Sequence, residues 1–384
     1  MTATPLPTDG SGYLLYHSIG MYPGKREAMA KAFADFSHLW AALDDGQWMQ
    51  ALTLRARFID LWRDLIDAEP GTLTSAENVT TALYSVVGSL PEKRLKGKTL
   101  LVAGDCFPSL HFLLAGLAPR LGFTLKTVPL RVGESWVRDE DMLEAWDESV
   151  GVALLTFVTS TSSHRSDVAR LIAHGRKMGS LVGVDITQGA GLVPYSVKET
   201  YADFTVSTTL KWLCGTPGAG ILHMQPELIA ACSPELRGWF SQENIFSWDL
   251  DAFQYASDAR RFDHGTPSVL ACAGSVPALE WHAGQDQTAL LAQNRKLGAM
   301  IIAETDKLGL DLVTPREDDR RGGSLMVRLP ETIDGAGLID RLRTIGVFTD
   351  CRGPIMRLSP GIVTTPEGID ALFRHLRDTE GLGR

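Results

Sequence analysis

Between residues 99 and 224 the chain repeats one pattern: a short apolar run, a polar turn, then a stretch with apolar residues three and four apart. The runs are TLLVAGDCF (99–107), TLKTVPL (124–130), VALLTFVTS (152–160), LVGVDITQ (181–188), FTVSTT (204–209) and GAGILHM (218–224). Helical stretches such as HFLLAGLAPRLG and DVARLIAHGRKMG separate most of them, each closing on a glycine. A strand that is apolar along its whole length is buried on both faces, and strands joined through helices pair in parallel. The pattern predicts an α/β fold: a mostly parallel sheet with helices on both sides.

The flanks follow other rhythms. From Pro23 to Asp67, KREAMAKAFADFSHLWAAL and LTLRARFIDLWRDLIDA carry the helical period. After Leu290 come a long helix (LLAQNRKLGAMIIAETDKLG), a strand (SLMVRLP), a helix (GLIDRLRTIG), a strand (IMRLS) and a last helix from Pro366, a small C-terminal α/β domain. Within it TPREDDRRGG reads as an exposed turn whose charges meet water. At 384 residues the chain exceeds the usual single-core size. The expected division is an N-terminal arm with helices over 1–60, a large domain over 61–285 and a small domain over 286–384.

A net charge of -9 argues against a nucleic-acid or anionic-membrane surface, which needs clustered Lys and Arg. The five cysteines are scattered without a Cys-x-x-Cys pair, so neither a disulfide framework nor a zinc site is indicated. The nine histidines show no metal spacing, and no metal is expected. The N-terminus has no signal-like segment, and no run of 18 apolar residues occurs. These features point to a cytoplasmic protein that handles a small molecule.

Ligands of open α/β sheets sit at the carboxyl ends of the strands. Four such ends carry polar groups: Asp105-Cys106-Phe107, Thr159-Ser160-Thr161, Asp185 through Gln188, and Thr208 through Lys211. Asp185 emerges from a buried strand, where an unpaired charge is costly. Lys211 follows another, and a lysine withdrawn from water loses its proton readily and attacks aldehydes. A strand-end lysine with a strand-end aspartate is what pyridoxal 5'-phosphate requires: the amine attaches to the aldehyde, and the carboxylate keeps the ring nitrogen protonated.

Further segments in the same order extend this reading into a resemblance. YLLYHSIGMYP, SAENVTTAL (75–83), GDCFPS, DITQ (185–188), TLKWL, RGWF (237–240), HGTPSV (264–269) and IMRLSP (355–360) together resemble the fold-type I pyridoxal-phosphate enzymes of the class V aminotransferase group, and within it the kynureninase family most. The resemblance implies a seven-stranded, mostly parallel sheet in a three-layer large domain, and a homodimer with active sites at its interface. It implies that Val79, Thr80 and Thr81 hold the cofactor phosphate with help from Thr208, and that Phe107 stacks on the ring. Asp185 serves the ring nitrogen, Gln188 the phenolate oxygen or phosphate, and Lys211 the covalent link. Trp239 and Thr266 reach across the dimer. Arg357 clamps the α-carboxylate of an amino-acid substrate, with His17, where asparagine is usual, also on the substrate side. Lys211, once displaced by the substrate amine, removes the Cα proton.

Two departures bear on the substrate. Leu210 stands where the kynureninase family carries tyrosine and desulfurases histidine, and Ser241-Gln242 follow the Gly-Trp-Phe segment where a histidine is usual. The departures imply a substrate other than kynurenine, and the resemblance to the kynureninase family implies lyase or hydrolase chemistry at the β or γ carbon of an amino acid, with an aminotransferase or a non-catalytic cofactor-binding scaffold as alternatives. Each residue also has a plainer role open to it. Lys211 is then a surface lysine, Asp185 a helix N-cap, Phe107 core packing, Arg357 a structural ion pair, Trp239 an interface or core aromatic and Thr266 a loop-shaping residue before proline. Cys351, six residues before Arg357, lacks the loop pattern of a reactive desulfurase thiol.

Overall fold

The computed structural model describes residues 10–379 together with 381 and 382. A two-residue strand β1 (Gly12–Tyr13) is followed by helices Lys25–Trp40 and Gln47–Leu65, the two predicted from the periodicity. The large sheet then assembles from β2 (Leu73–Ala76), β3 (Thr99–Ala103), β4 (Thr124–Val128), β5 (Val150–Thr156), β6 (Leu181–Asp185), β7 (Phe204–Thr208) and β8 (Gly220–Met224). Its order is β2-β8-β7-β6-β5-β3-β4. The pairs from β7 to β4 are parallel, and β8 is antiparallel to both its neighbours. The expected mostly parallel seven-stranded sheet is therefore present. β2 had no strand signal of its own; it is four residues long and opens the segment quoted above as a phosphate turn.

Alternate residues serve opposite faces, as the two-residue period of a strand requires. Leu100, Val102, Val152, Leu154, Phe204 and Val206 join one core with helices Val79–Val87 and Pro108–Leu121. Leu101, Ala153, Leu155, Val182 and Val184 join the other with helices Gln47–Leu65, Val168–Lys177 and Val269–Ala283. Each fully buried Leu or Val contributes about 1.5–3 kcal/mol, so the continuous apolar runs are what make a two-faced sheet stable. Gly183 is dictated by this packing: a Cβ there would lie 2.0 Å from the Phe204 ring.

The C-terminal part forms a second sheet from β9 (Asp311–Leu312), β10 (Leu325–Arg328), β12 (Asp350–Arg352) and β13 (Ile355–Leu358), in the order β12-β13-β10-β9, all antiparallel. The intervening β11 (Val347–Phe348) pairs instead with β1, and Leu14 is buried in the same cluster as Leu325, Met356 and Leu372. The start of the described chain is thus packed against its end.

One expectation fails here. The end of TPREDDRRGG is not an exposed turn: Arg321, Gly322 and Gly323 are buried, Arg321 to 1 % exposure. The Gly322 N–H donates to the Ser163 carbonyl at 2.7 Å and the Ser324 N–H to Ser163 Oγ at 3.2 Å. A Cβ on Gly322 would meet Val158 at 2.4 Å and one on Gly323 would meet Leu192 at 2.3 Å. The glycines are there to let this strap lie against the loop that follows β5, and the charges at its start alone reach water.

Candidate active site

The carboxyl ends of β2, β3, β5, β6 and β7 share one edge of the large sheet, and the residues just beyond them enclose a cavity of about 830 Å³. His17, Val79, Thr80, Thr81, Phe107, Asp185, Gln188, Thr208, Lys211 and Arg357 all line it. Trp239 and Thr266 do not. Trp239 packs edge-on against Trp48 and Phe240, and Thr266 is exposed. A second cavity of about 710 Å³, between Leu65, Tyr195 and Arg320, contains none of the twelve predicted residues.

Lys211 lies three residues past β7 in a turn that includes Cys214 at φ 61. The segment His17–Gly20 covers it. The Gly20 N–H donates to the Leu210 carbonyl at 3.0 Å, and a Cβ on Gly20 would sit 1.9 Å from the Lys211 carbonyl oxygen. Burial lowers the Lys211 amine from 10.5 to about 8, with Asp185 opposing and Arg357 and Arg352 assisting the shift. Its Nζ stands 5.4 Å from the centroid of the Phe107 ring. Phe107 is packed against the core on one side and lines the cavity on the other, so core packing leaves a face of its ring turned to the cavity.

Asp185 ends β6 with 4 % exposure, and its Oδ1 accepts the Thr187 N–H at 2.9 Å. Burial raises its carboxyl pKa; the bonds from Thr187 and the Lys211 charge act against that rise. Gln188 is tied at both ends: its Nε2 donates to the His17 carbonyl at 3.0 Å and its Oε1 accepts from Trp212 Nε1 at 3.4 Å. It thereby joins the N-terminal segment to the lysine turn while one side faces the cavity.

At the opposite end, Asn78 caps helix Val79–Val87, taking the Thr80 and Thr81 N–H groups at 3.0 Å each. The Thr81 hydroxyl is spent within this cap, bonding the Asn78 backbone and Glu77. The Thr80 hydroxyl carries no bond to any described residue, so Thr80 is the freer anion donor. Glu77 turns to His264 at 3.6 Å, and that contact holds its carboxyl down at about 2.

Arg357, on β13, is 8 % exposed and bonds Asp350 through both Nε and Nη2, so the ion-pair alternative is realised. His17 is 3 % exposed, with Nε2 3.3 Å from Asp350 and Nδ1 2.7 Å from Ser359 Oγ. Burial pushes its imidazole pKa down, against the bond to Asp350. Asp350, Arg352 at the cavity mouth and Ser160 were not assigned roles from sequence. Ser160 Oγ is buried with no partner among the described residues and lines the cavity. Its strand end was visible in the apolar run; the pairing of Asp350 with Arg357 had no local signal. Cys351 is outside the cavity, its thiol pushed up by burial to about 11, a poor nucleophile.

The chain has relatives among known proteins. The chain is 27 % identical to a kynureninase of Pseudomonas fluorescens over 384 aligned residues, 95 % of this chain and 88 % of that enzyme. It is 28 % identical to a kynureninase of Geobacillus thermodenitrificans over 77 % of this chain and 71 % of that one. Among solved structures, a cysteine desulfurase of Escherichia coli superposes with a TM-score of 0.84 at 21 % identity, covering 97 % of this chain and 95 % of the other. A cystine C–S lyase superposes with a TM-score of 0.84 at 17 % identity, covering 96 % and 97 %. The family description "Aminotransferase class-V" matches residues 61–365, and the chain belongs to that family.

Proposed function

We propose that this is a pyridoxal-phosphate-dependent enzyme that breaks a bond at the β or γ carbon of an α-amino acid other than kynurenine. The observation that carries it is Lys211: a largely covered amine lowered to about 8, 5.4 Å from the centre of the Phe107 ring and under the influence of the Asp185 charge, in a cavity large enough for a cofactor and a small substrate. The residues fit the group. Thr80 offers a hydroxyl to a phosphate, as does Thr208 once it gives up its long bond to the Ala219 carbonyl, Phe107 offers an aromatic face to a ring, and Asp185 a buried carboxyl to a ring nitrogen. The cofactor, when bound, supplies the electron sink that makes a Cα–H bond breakable.

The chain's own residues do the rest. Arg357 orients the substrate carboxylate, Lys211 takes and returns the Cα proton, and the Phe107 and Leu210 side chains keep water from the reacting carbon. Leu210 has no proton to give, so Lys211 is left as the principal base. The kynureninase relatives favour bond cleavage over amino-group transfer, whereas Leu210 favours a substrate different from theirs.

A second copy completes the site in this reading. Met49, Phe246, Trp248 and Leu250 are 69–95 % exposed, and ring contacts run from Phe36 through Trp40 and Trp48 to Trp239. Exposed apolar side chains of this size fit a homodimer interface, and a role across such an interface accounts for Trp239 and Thr266 lying outside their own chain's cavity. All five cysteines are free, as suits a reducing cytoplasm.

The test is a panel of α-amino acids offered to the cofactor-loaded protein. Release of alanine or pyruvate without any 2-oxo acid acceptor is the expected result. Turnover only when an acceptor is added contradicts cleavage and assigns amino-group transfer.

A further inference from the structure

Arg357 and Asp350 face each other directly across the antiparallel pair β13 and β12. Cross-strand partners on one face have little freedom to miss one another. Asp350 Oδ1 takes the Nε hydrogen at 2.7 Å and Oδ2 takes one on Nη2, so the carboxylate occupies the side edge of the guanidinium. A guanidinium has five N–H groups; the two on Nη1 and the second on Nη2 have no partner among the described residues and form its end edge. Arg357 lines the cavity, whereas Asp350 does not. The aspartate therefore holds the arginine from outside the cavity.

Asp350 is itself held. His17 Nε2 approaches its carboxylate at 3.3 Å while Nδ1 contacts Ser359 Oγ at 2.7 Å. Ser359, with no exposure, donates to Ser324 Oγ at 2.7 Å. His17 and Arg357 thus hold the carboxylate directly, and Ser359 and Ser324 hold His17 in turn. Burial alone would raise the Asp350 pKa, yet the bonds from His17 and Arg357 outweigh it and hold the carboxyl well below the usual range.

A free arginine gives up rotamer entropy when a ligand fixes it. Here that ordering is complete before any substrate arrives, and the positive charge facing the cavity is already balanced. What Arg357 then offers is direction more than charge.

We propose that Asp350, fixed by His17, is a positioning residue that presents the end edge of Arg357 to the α-carboxylate of the substrate. This rests on the function proposed above. The experiment titrates cofactor-loaded protein with L-alanine and with ethylamine, which lacks the carboxylate, and follows the absorption change on binding. Wild type should prefer L-alanine. Asp350→Ala should shrink that preference by about tenfold or more while moving the ethylamine Kd by less than about twofold. Asp350→Asn, which keeps the shape, gives the same reading if the alanine variant does not fold. In an Arg357→Ala background the Asp350 change should add nothing, because it acts through the arginine. An Asp350 variant that keeps the wild-type preference, or weakens both compounds alike, overturns the inference alone. A wild type that responds to neither compound overturns the proposed function and this inference together.

Discussion

The Nζ of Lys211 lies 5.4 Å from the centre of the Phe107 ring, although the two residues follow strands β7 and β3, which are separated in the sheet by β6 and β5. Only a sheet that brings its strand ends to one edge can place them together, and the end of β6 between them supplies Asp185. The chemistry attributed to this protein is a consequence of that convergence.

The lysine gives a pH prediction. Its folded-state value of about 8 lies below its ordinary 10.5. Below about 8 the folded protein carries a charged amine that cannot attack an aldehyde. Capture of pyridoxal phosphate by apoprotein should therefore speed up as pH rises toward about 8 and then level off. Mixing experiments that follow the rise of visible absorbance from about pH 6 to about pH 10 check this. For stability the sign is the same. Between about 8 and 10.5 the unfolded chain binds more protons at this residue than the folded one, so apoprotein gains stability from it as pH rises. Lys211→Met should remove that gain and raise the melting temperature of apoprotein near neutral pH.

Asp185→Asn separates charge from structure. The asparagine Oδ1 can still accept the Thr187 N–H, so melting should change little. Turnover should fall by about a hundredfold or more, since a neutral amide cannot hold a proton on a ring nitrogen. Because the Asp185 charge raises the Lys211 amine, its loss should also move the midpoint of the capture profile to lower pH. Rate constants near wild type would contradict the role given to Asp185.

The buried strap makes a third prediction. Arg321 is 1 % exposed, bonds Asp318 through Nη2, and has Nε and Nη1 without partners among the described residues. Burial lowers its pKa, which marks the cost of keeping a charge there. Arg321→Met fills similar space with no charge to desolvate and should leave the melting temperature unchanged or raise it. A drop of many degrees would show that the single bond to Asp318 outweighs desolvation.

What could be read from the residues alone follows from how local each signal is. The apolar runs carry β3 through β8 because two-sided burial leaves its mark on every residue of a strand, and the strand ends carry Phe107, Asp185 and Lys211. β2 is too short for such a mark. The charges of TPREDDRRGG look solvated until Gly322 and Gly323 are seen to pack on Val158 and Leu192, more than a hundred residues away in the chain. Asp350 is legible only once the register of β12 on β13 places it opposite Arg357. Trp239 and Thr266 lie outside the cavity of their own chain, and no local signal in the sequence marks that.

Lys211 as the residue that would carry the cofactor is open to one direct measurement. Purified protein mixed with pyridoxal phosphate, reduced with borohydride and digested, should yield a labelled peptide containing Lys211, with a visible absorption band before reduction that Lys211→Ala lacks. A colourless wild type, or a label on a different lysine, would contradict the account.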